Sequence, residues 1–157
     1  MHITRETAID DVIALLSECG LPVQDISASS HHLFFGLRDH GALVGAVGLE
    51  PYAKVGLLRS LAVAPAYRGR GLGEALVRHV EAFSASHGVE DLFLLTSTAE
   101  HFFATLGYRR TPRSDAPEAI RATAQFAGLC PCSAAFMSKP LIHGDAVSGD
   151  ALRKTTA

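Results

Sequence analysis

The 157-residue chain has no tryptophan, three cysteines, little charge of either sign in excess, and no apolar run of bilayer length. Each shortage excludes something. Three cysteines, Cys19, Cys130 and Cys132, are too few and too oddly numbered for a disulfide framework, so they are read as thiols in a reducing compartment. Apolar runs such as Leu92-Phe93-Leu94-Leu95 stop far short of the roughly 18 residues a membrane span needs. The opening Met1-His2-Ile3-Thr4-Arg5-Glu6 lacks the apolar region of a signal peptide. The expectation is a soluble cytoplasmic protein with no membrane partner. Fourteen Lys and Arg stand against sixteen Asp and Glu, a formal net charge of -2, so no basic field attracts nucleic acid and any anion must be bound locally. With 48% hydrophobic and 19% charged residues the chain is neither disordered nor a charged scaffold, and its length fits one compact domain.

The apolar pattern predicts a short strand around Ile3 to Arg5, then a helix with Thr7 and Asp10 as cap residues and Ile9, Val12, Ile13 and Leu16 on one face. Gly20 and Pro22 end it. Leu33 to Arg38 and Ala42 to Glu50 flank Asp39-His40-Gly41, a hairpin signal. A strand over Val55 to Ala64, a helix carrying Leu72, Leu76, Val80 and Phe83, and a nearly continuous apolar strand over Val89 to Leu95 make a parallel crossover unit. A helix from about Thr98 to Leu106 follows, then a second with Asp115 and Glu118 in capping-box spacing and Ile120, Ala124 and Ala127 facing inward. Ser133 to Leu141 closes the sheet. The domain is expected over residues 1–142, and residues 143–157 read as a flexible C-terminal tail.

Chemistry concentrates in Ala62-Val63-Ala64-Pro65-Ala66-Tyr67-Arg68-Gly69-Arg70-Gly71-Leu72-Gly73, between a strand and the first turn of a helix. The first amides of a helix lack intrahelical acceptors and carry the positive end of the dipole, and glycine lets an anion come close. A Walker loop needs Gly-Lys followed by Ser or Thr, which is absent, and Gly69, Gly71 and Gly73 read GxGxG rather than the dinucleotide GxGxxG. A pyrophosphate site is favoured over a bare turn with two solvated arginines.

At Arg68, Gly71 and Gly73 the sequence resembles the acyl-CoA N-acyltransferases of the GNAT superfamily, whose signature is Arg or Gln, two residues, Gly, one residue, then Gly or Ala. Leu61-Ala62-Val63 before Pro65 is similar to that family's central strand, and Phe102-Phe103-Ala104-Thr105-Leu106-Gly107-Tyr108 to its later helix motif. The resemblance implies an α/β (α+β) domain with a mixed, mostly antiparallel central sheet, helices on both faces and a parallel βαβ unit at the cofactor site. It implies acetyl-CoA as co-substrate and an N-acetyltransferase acting on the primary amine of a small molecule by direct attack in a ternary complex. Arg68, Gly69, Arg70, Gly71, Leu72 and Gly73 would hold the pyrophosphate, while the backbone of Leu61, Ala62 and Val63 would pair with pantetheine. Thr96 stands where relatives often carry a cofactor-contacting Asn, and Phe103, where many carry an acidic Tyr, joins the cofactor site. Many relatives are dimers, which makes a homodimer an implied assembly. Leu58-Arg59-Ser60-Leu61, Leu94-Leu95-Thr96-Ser97-Thr98-Ala99-Glu100 and Ala116-Pro117-Glu118-Ala119-Ile120 through to Leu129-Cys130-Pro131 resemble the arsenic-resistance N-acetyltransferase branch. That likeness implies an amino-acid-like acceptor, a glutamate-like organoarsenical among them.

Amine attack on a thioester needs a free amine, donors for the oxyanion and a proton for the thiolate. Glu50, on a strand face with the small Ala46 and Gly48, is the first choice as base; the alternative is a solvated strand-end carboxylate. With Phe103 in the usual acid's place, water or another hydroxyl such as Tyr108 would supply the proton, and the acid is left unassigned. Arg59 is the best-placed carboxylate anchor for the acceptor, with Arg113 and Arg121 behind it. Cys130 and Cys132 suit a metalloid in principle, but packing is the favoured role, and without HExxH or Cys/His zinc spacing no metal is expected. A catalytically idle CoA-binding or metalloid-sensing module, and an enzyme acting on a protein or peptide amine, are the rival functions.

Overall fold

The computed structural model describes residues 2–27, 31–129 and 132–141. Seven strands form one sheet: β1 (Thr4–Glu6), β2 (Leu33–Asp39), β3 (Ala42–Tyr52), β4 (Val55–Val63), β5 (Asp91–Thr96), β6 (Arg109–Arg110) and β7 (Ala135–Pro140), in the order β1-β2-β3-β4-β5-β7-β6. Only β4 and β5 run parallel, and α2 (Leu72–Ser86) crosses between them. The other pairs are antiparallel, so the expected mixed sheet with one parallel βαβ unit is what forms. The β2–β3 hairpin turns through His40 and Gly41 at φ 50° and 83°, the left-handed pair a two-residue turn requires.

Helices cover both faces. On one, Leu76, Val77 and Val80 of α2 and Phe103 of α3 (Glu100–Thr105) pack on Val47, Leu49 and Leu58. On the other, Val12, Leu15 and Leu16 of α1 (Ile9–Glu18) pack on Phe34, Ala46 and Ala62, and Ile120 of α4 (Glu118–Arg121) packs with Leu57, Phe93 and Phe136. Among the described residues no helix is long and apolar enough to cross a membrane.

Two details of β4 build the site. Gly48 pairs with Arg59 and Ala46 with Ala62, so two strand residues, Ser60 and Leu61, oppose Val47 alone, and Ser60 takes φ 57°. This bulge reverses the alternation: Leu57 and Ala62 face the α1/α4 side, whereas Leu58, Leu61 and Val63 face α2. The parallel pairing also stops early, at Leu57 opposite Phe93, although β4 runs on to Val63 and β5 to Thr96. The strands diverge and leave a cleft through the sheet.

Some local expectations are corrected. Neither Thr7 nor Asp10 caps α1; the Ala8 N-H instead donates to the Glu6 carboxylate. The long helix expected after Asp115 breaks into the four-residue α4, which begins after Pro117 rather than at a capping box, and a π-type turn over Gln125–Leu129. Thr123 Oγ1 donates to the Ile120 carbonyl and accepts from the Phe126 N-H, which resets the helical phase. Ala124 and Ala127 are therefore exposed, and Thr123 and Gln125 are buried in their place. The tail expected over 143–157, Cys130 and Pro131 lie outside the described residues.

Candidate functional site

The turn between β4 and α2 has the form its glycines require. Pro65–Tyr67 make one 3-10 turn, then Gly69 and Gly71 adopt φ 78° and 79°, with nothing within 4 Å of a Cβ at either. Gly71 is the left-handed N-cap of the fifteen-residue α2, and no side chain caps that end. The first helical bond runs from Ala75 N to Gly71 O, so the amides of Leu72, Gly73 and Glu74 have no partner from within the helix. Gly73 lies against the Phe102 ring, 3.4 Å from where its Cβ would be. Arg68 folds back over the strand end, its Nε donating to the Val63 carbonyl at 2.9 Å and its Nη2 lying 3.6 Å from Cys19 Sγ. Arg70 covers the Tyr67 ring, 4.9 Å from its centroid. Arg68, Gly69, Arg70, Gly71, Leu72 and Gly73 thus surround one helix N-terminus whose first amides are free of intrahelical partners, with Arg68 and Arg70 bonded back to Val63 and Ala66.

The cleft beside it is a cavity of about 430 Å³, walled by residues 58–61 of β4, 94–99 at the end of β5, Phe103, residues 19–22 after α1, and Gln125. Beyond Leu57 the edge of β4 that faces β5 has no strand partner among the described residues. An extended ligand bearing amides would complete that edge, as an added strand would. Leu61, Thr96 and Phe103 line the cavity. Thr96 Oγ1 also accepts the Ala99 N-H at 3.0 Å, which fixes the turn into α3.

Glu50 and Arg59 do not occupy the positions expected of them. The Arg59 side chain is 0% exposed. Its Nη2 donates to Asp25 Oδ1 at 2.8 Å, and its Nη1 reaches Asp25 Oδ2 as well as Glu50 Oε2 at 2.7 Å. Glu50 further accepts the Tyr52 hydroxyl on Oε1, and His32 Nε2 lies 3.1 Å from Oε2. Burial alone would raise the Glu50 pKa, but hydrogen bonds from His32, Tyr52 and Arg59 outweigh it and hold the carboxyl down at about 2. A carboxylate so fully bonded and so weakly basic, outside the cavity lining, is a structural anion rather than the expected general base. Arg59 likewise is a buried counter-ion, not a free carboxylate anchor. The room expected beside Gly48 is filled: a Cβ there would lie 2.8 Å from the Phe34 ring and 3.1 Å from Arg59 Cγ. Ligand atoms of Asp25, His32 and Glu50 lie within 4.8 Å of one another, but the guanidinium already bridges both carboxylates and stands where a cation would have to bind.

Other expectations are corrected in the same way. Tyr108 is 2% exposed in the core on the α2 side, its hydroxyl donating to Glu81 at 2.9 Å. Burial and the Glu81 charge push its pKa upward, and it does not line the cavity, so it is not placed to deliver a proton there. Arg113 donates to the Ala134 carbonyl at 2.7 Å and covers the Phe126 ring, and Arg121 donates to the Ala116 carbonyl at 3.0 Å; neither lines the cavity. Cys132 is exposed rather than packed. Gln125, Ser97 and Thr98 line the cavity; they belong to the segments that carry the branch resemblance but were given no role there. Apolar periodicity did not place Gln125 inside, because its burial follows from the π-type turn.

The sequence pattern described as the Acetyltransferase (GNAT) family matches residues 5–108. The chain is similar to an amino-acid acetyltransferase of Ralstonia nicotianae, 40% identical over 87 residues that make up 54% of this chain and 19% of that protein. It is also similar to an amino-acid acetyltransferase of Pseudomonas syringae pv. syringae, 30% identical over 129 residues, 75% of this chain and 30% of that one. The chain thus spans less than a third of the length of these curated relatives. Among solved structures, N-acetylglutamate synthase of Neisseria gonorrhoeae complexed with coenzyme A and N-acetyl-glutamate superimposes with a TM-score of 0.73 at 24% identity, covering 90% of this chain and 35% of that one.

Proposed function

The chain belongs to the Acetyltransferase (GNAT) family, and from that membership we propose that it is an N-acetyltransferase moving the acetyl group of acetyl-CoA to the primary amine of an amino-acid-like small molecule, by direct attack in a ternary complex. The observation that carries this reading is the cleft where β4 and β5 part, with an uncapped helix N-terminus beside it. The amides of α2 and the Arg68 guanidinium suit a pyrophosphate. The unpaired edge of β4 over residues 58–63 suits the two amides of pantetheine and leaves backbone N-H groups for the thioester oxygen. The amine attacks the carbonyl carbon, a C-N bond forms, the C-S bond breaks, and the departing thiolate takes up a proton. No carboxylate or imidazole lines the cavity among the described residues, so the amine arrives already deprotonated.

The organoarsenical acceptor implied by the sequence resemblance gains no support from the cavity, because among the described residues Arg59 is its only cationic lining residue and is already paired. It enters as one arm of the test. Release of CoA thiol from acetyl-CoA, scanned over amino acids, a glutamate-like organoarsenical amine, polyamines and a peptide, is expected to respond to free amino acids. With no base at hand, kcat/KM should rise about tenfold per pH unit up to the pKa of the acceptor amine. Binding of acetyl-CoA without thiol release for any amine would remove the catalytic reading. Gly71→Ala, which adds a methyl in open space but strains a φ of 79°, is expected to raise the KM for acetyl-CoA about tenfold. An unchanged KM would take the pyrophosphate away from this turn.

A further inference from the structure

Gln125 is 4% exposed, lines the cavity, and its carboxamide has no hydrogen-bond partner among the described residues. A carboxamide offers two N-H donors and two lone pairs, and at the cavity wall the described residues use none of them. Leucine or methionine would fill the same space without a hydrogen-bonding group. The carboxamide therefore adds nothing to the fold that an apolar side chain would not, and its donors and acceptors point to a ligand.

Which ligand follows from the two faces of the sheet. The helix N-terminus of α2 and Phe103 lie on one side. Gln125 belongs to the turn whose Phe126 packs with Phe93, Phe136 and Ile120 on the opposite side. A donor anchored by its phosphates at α2 and threaded between β4 and β5 presents its acyl group toward the Gln125 side, where the acceptor must stand. The charge there is set by Arg59, which reaches the cavity only through its backbone and whose guanidinium answers two carboxylates, Asp25 and Glu50. Asp25, like Glu50, is held ionised: burial opposes this, and the Arg59 hydrogen bonds and charge prevail. Two carboxylates share one guanidinium and the His32 imidazole, so the Arg59 charge behind the cavity wall is already spent, and the lining side chains nearest β5, Thr96, Ser97 and Thr98, are neutral.

Resting on the acetyltransferase reading, we propose that Gln125 is an acceptor-binding residue whose carboxamide hydrogen-bonds the amine and the adjacent polar group of a small acceptor carrying no net negative charge. Glutamine, alanine or an amino-acid amide fits this subsite; glutamate and aspartate, with a second carboxylate and no unpaired cation lining the cavity among the described residues, do not.

The test is acetyl transfer by the full chain to glutamine, alanine, glycinamide, glutamate and aspartate, with wild type and Gln125→Met, together with Tm of the unliganded proteins. Glutamine is expected to exceed glutamate at least tenfold in kcat/KM. Gln125→Met should raise the acceptor KM at least tenfold, leave the KM for acetyl-CoA within twofold, and leave Tm undiminished, because no hydrogen bond within the protein is lost. An unchanged acceptor KM, a preference for glutamate over glutamine, or a shift confined to the acetyl-CoA KM overturns the proposal. If no amine is acetylated by any variant, the acetyltransferase reading falls by itself and Gln125 is judged on Tm. An undiminished Tm with Gln125→Met then upholds a ligand-facing carboxamide, and a fall of several degrees makes Gln125 structural and overturns it.

Discussion

Arg59→Ala is expected to cost about 3–5 kcal/mol of stability and lower Tm by roughly 10 °C, because it strands the buried Glu50 and the half-buried Asp25 without their counter-charge. Asp25 and Glu50 both lose their partner, and their chain segments lose a common clamp: Asp25 follows α1, Glu50 lies on β3 and Arg59 on β4. The forked pairing to Asp25 also holds the segment whose residues 19–22 wall the cavity. Breaking one partner differs from removing the whole cluster. Arg59→Met combined with Asp25→Asn and Glu50→Gln should recover most of the loss, since neutral groups of similar shape leave no buried charge. Urea unfolding of the single and triple variants measures both. A stable Arg59→Ala protein with a raised acceptor KM would restore Arg59 to the substrate and refute the counter-ion account.

Acid should unfold the protein through the same cluster. Glu50 titrates near 2 in the folded chain and near 4.5 when unfolded, and the Asp25 pKa is lowered as well. A depressed carboxyl pKa contributes stability that is fully present above the unfolded value and is lost as the pH falls through the folded one. For Glu50 that window runs from about pH 4.5 down to about 2, and the contribution at stake is a few kcal/mol. The free energy of unfolding, measured in urea from pH 7 to pH 2, is expected to fall steeply below pH 4.5. Glu50→Gln should be less stable at neutral pH and show a shallower fall with acid. Equal slopes for wild type and Glu50→Gln would show that this carboxylate has no depressed pKa.

The same residues mark the boundary of what the sequence could tell. Strand, Gly-rich turn and helix at Val55 to Phe83 were legible because each depends on neighbours within a few residues: apolar periodicity sets the buried face, and glycine supplies the positive φ at 69 and 71. The hairpin at His40-Gly41 and the parallel crossover follow from the same short-range rules. Arg59 was legible as a cation on the central strand, but Asp25, 34 residues before it, gave no sign that it would consume the charge. Glu50 looked like a base because a sequence shows a carboxylate and not the three donors that surround it. The bulge at Ser60 decides which side chains of β4 face each layer, and it is set by register against β3, which no local pattern encodes.

By its sequence alone the protein determined the order of its elements apart from β6 and the broken helix after Asp115, its likeness to one superfamily and the place of its Gly-rich turn, because hydrophobic period, turn chemistry and helix ends are local physics. Only the tertiary structure decided which charges cancel, that Tyr108 belongs to Glu81 in the core, and that Gln125 meets the cavity without a partner. Those are matters of long-range contact and desolvation, where the pairing of a buried group, and not its identity, fixes what it can do.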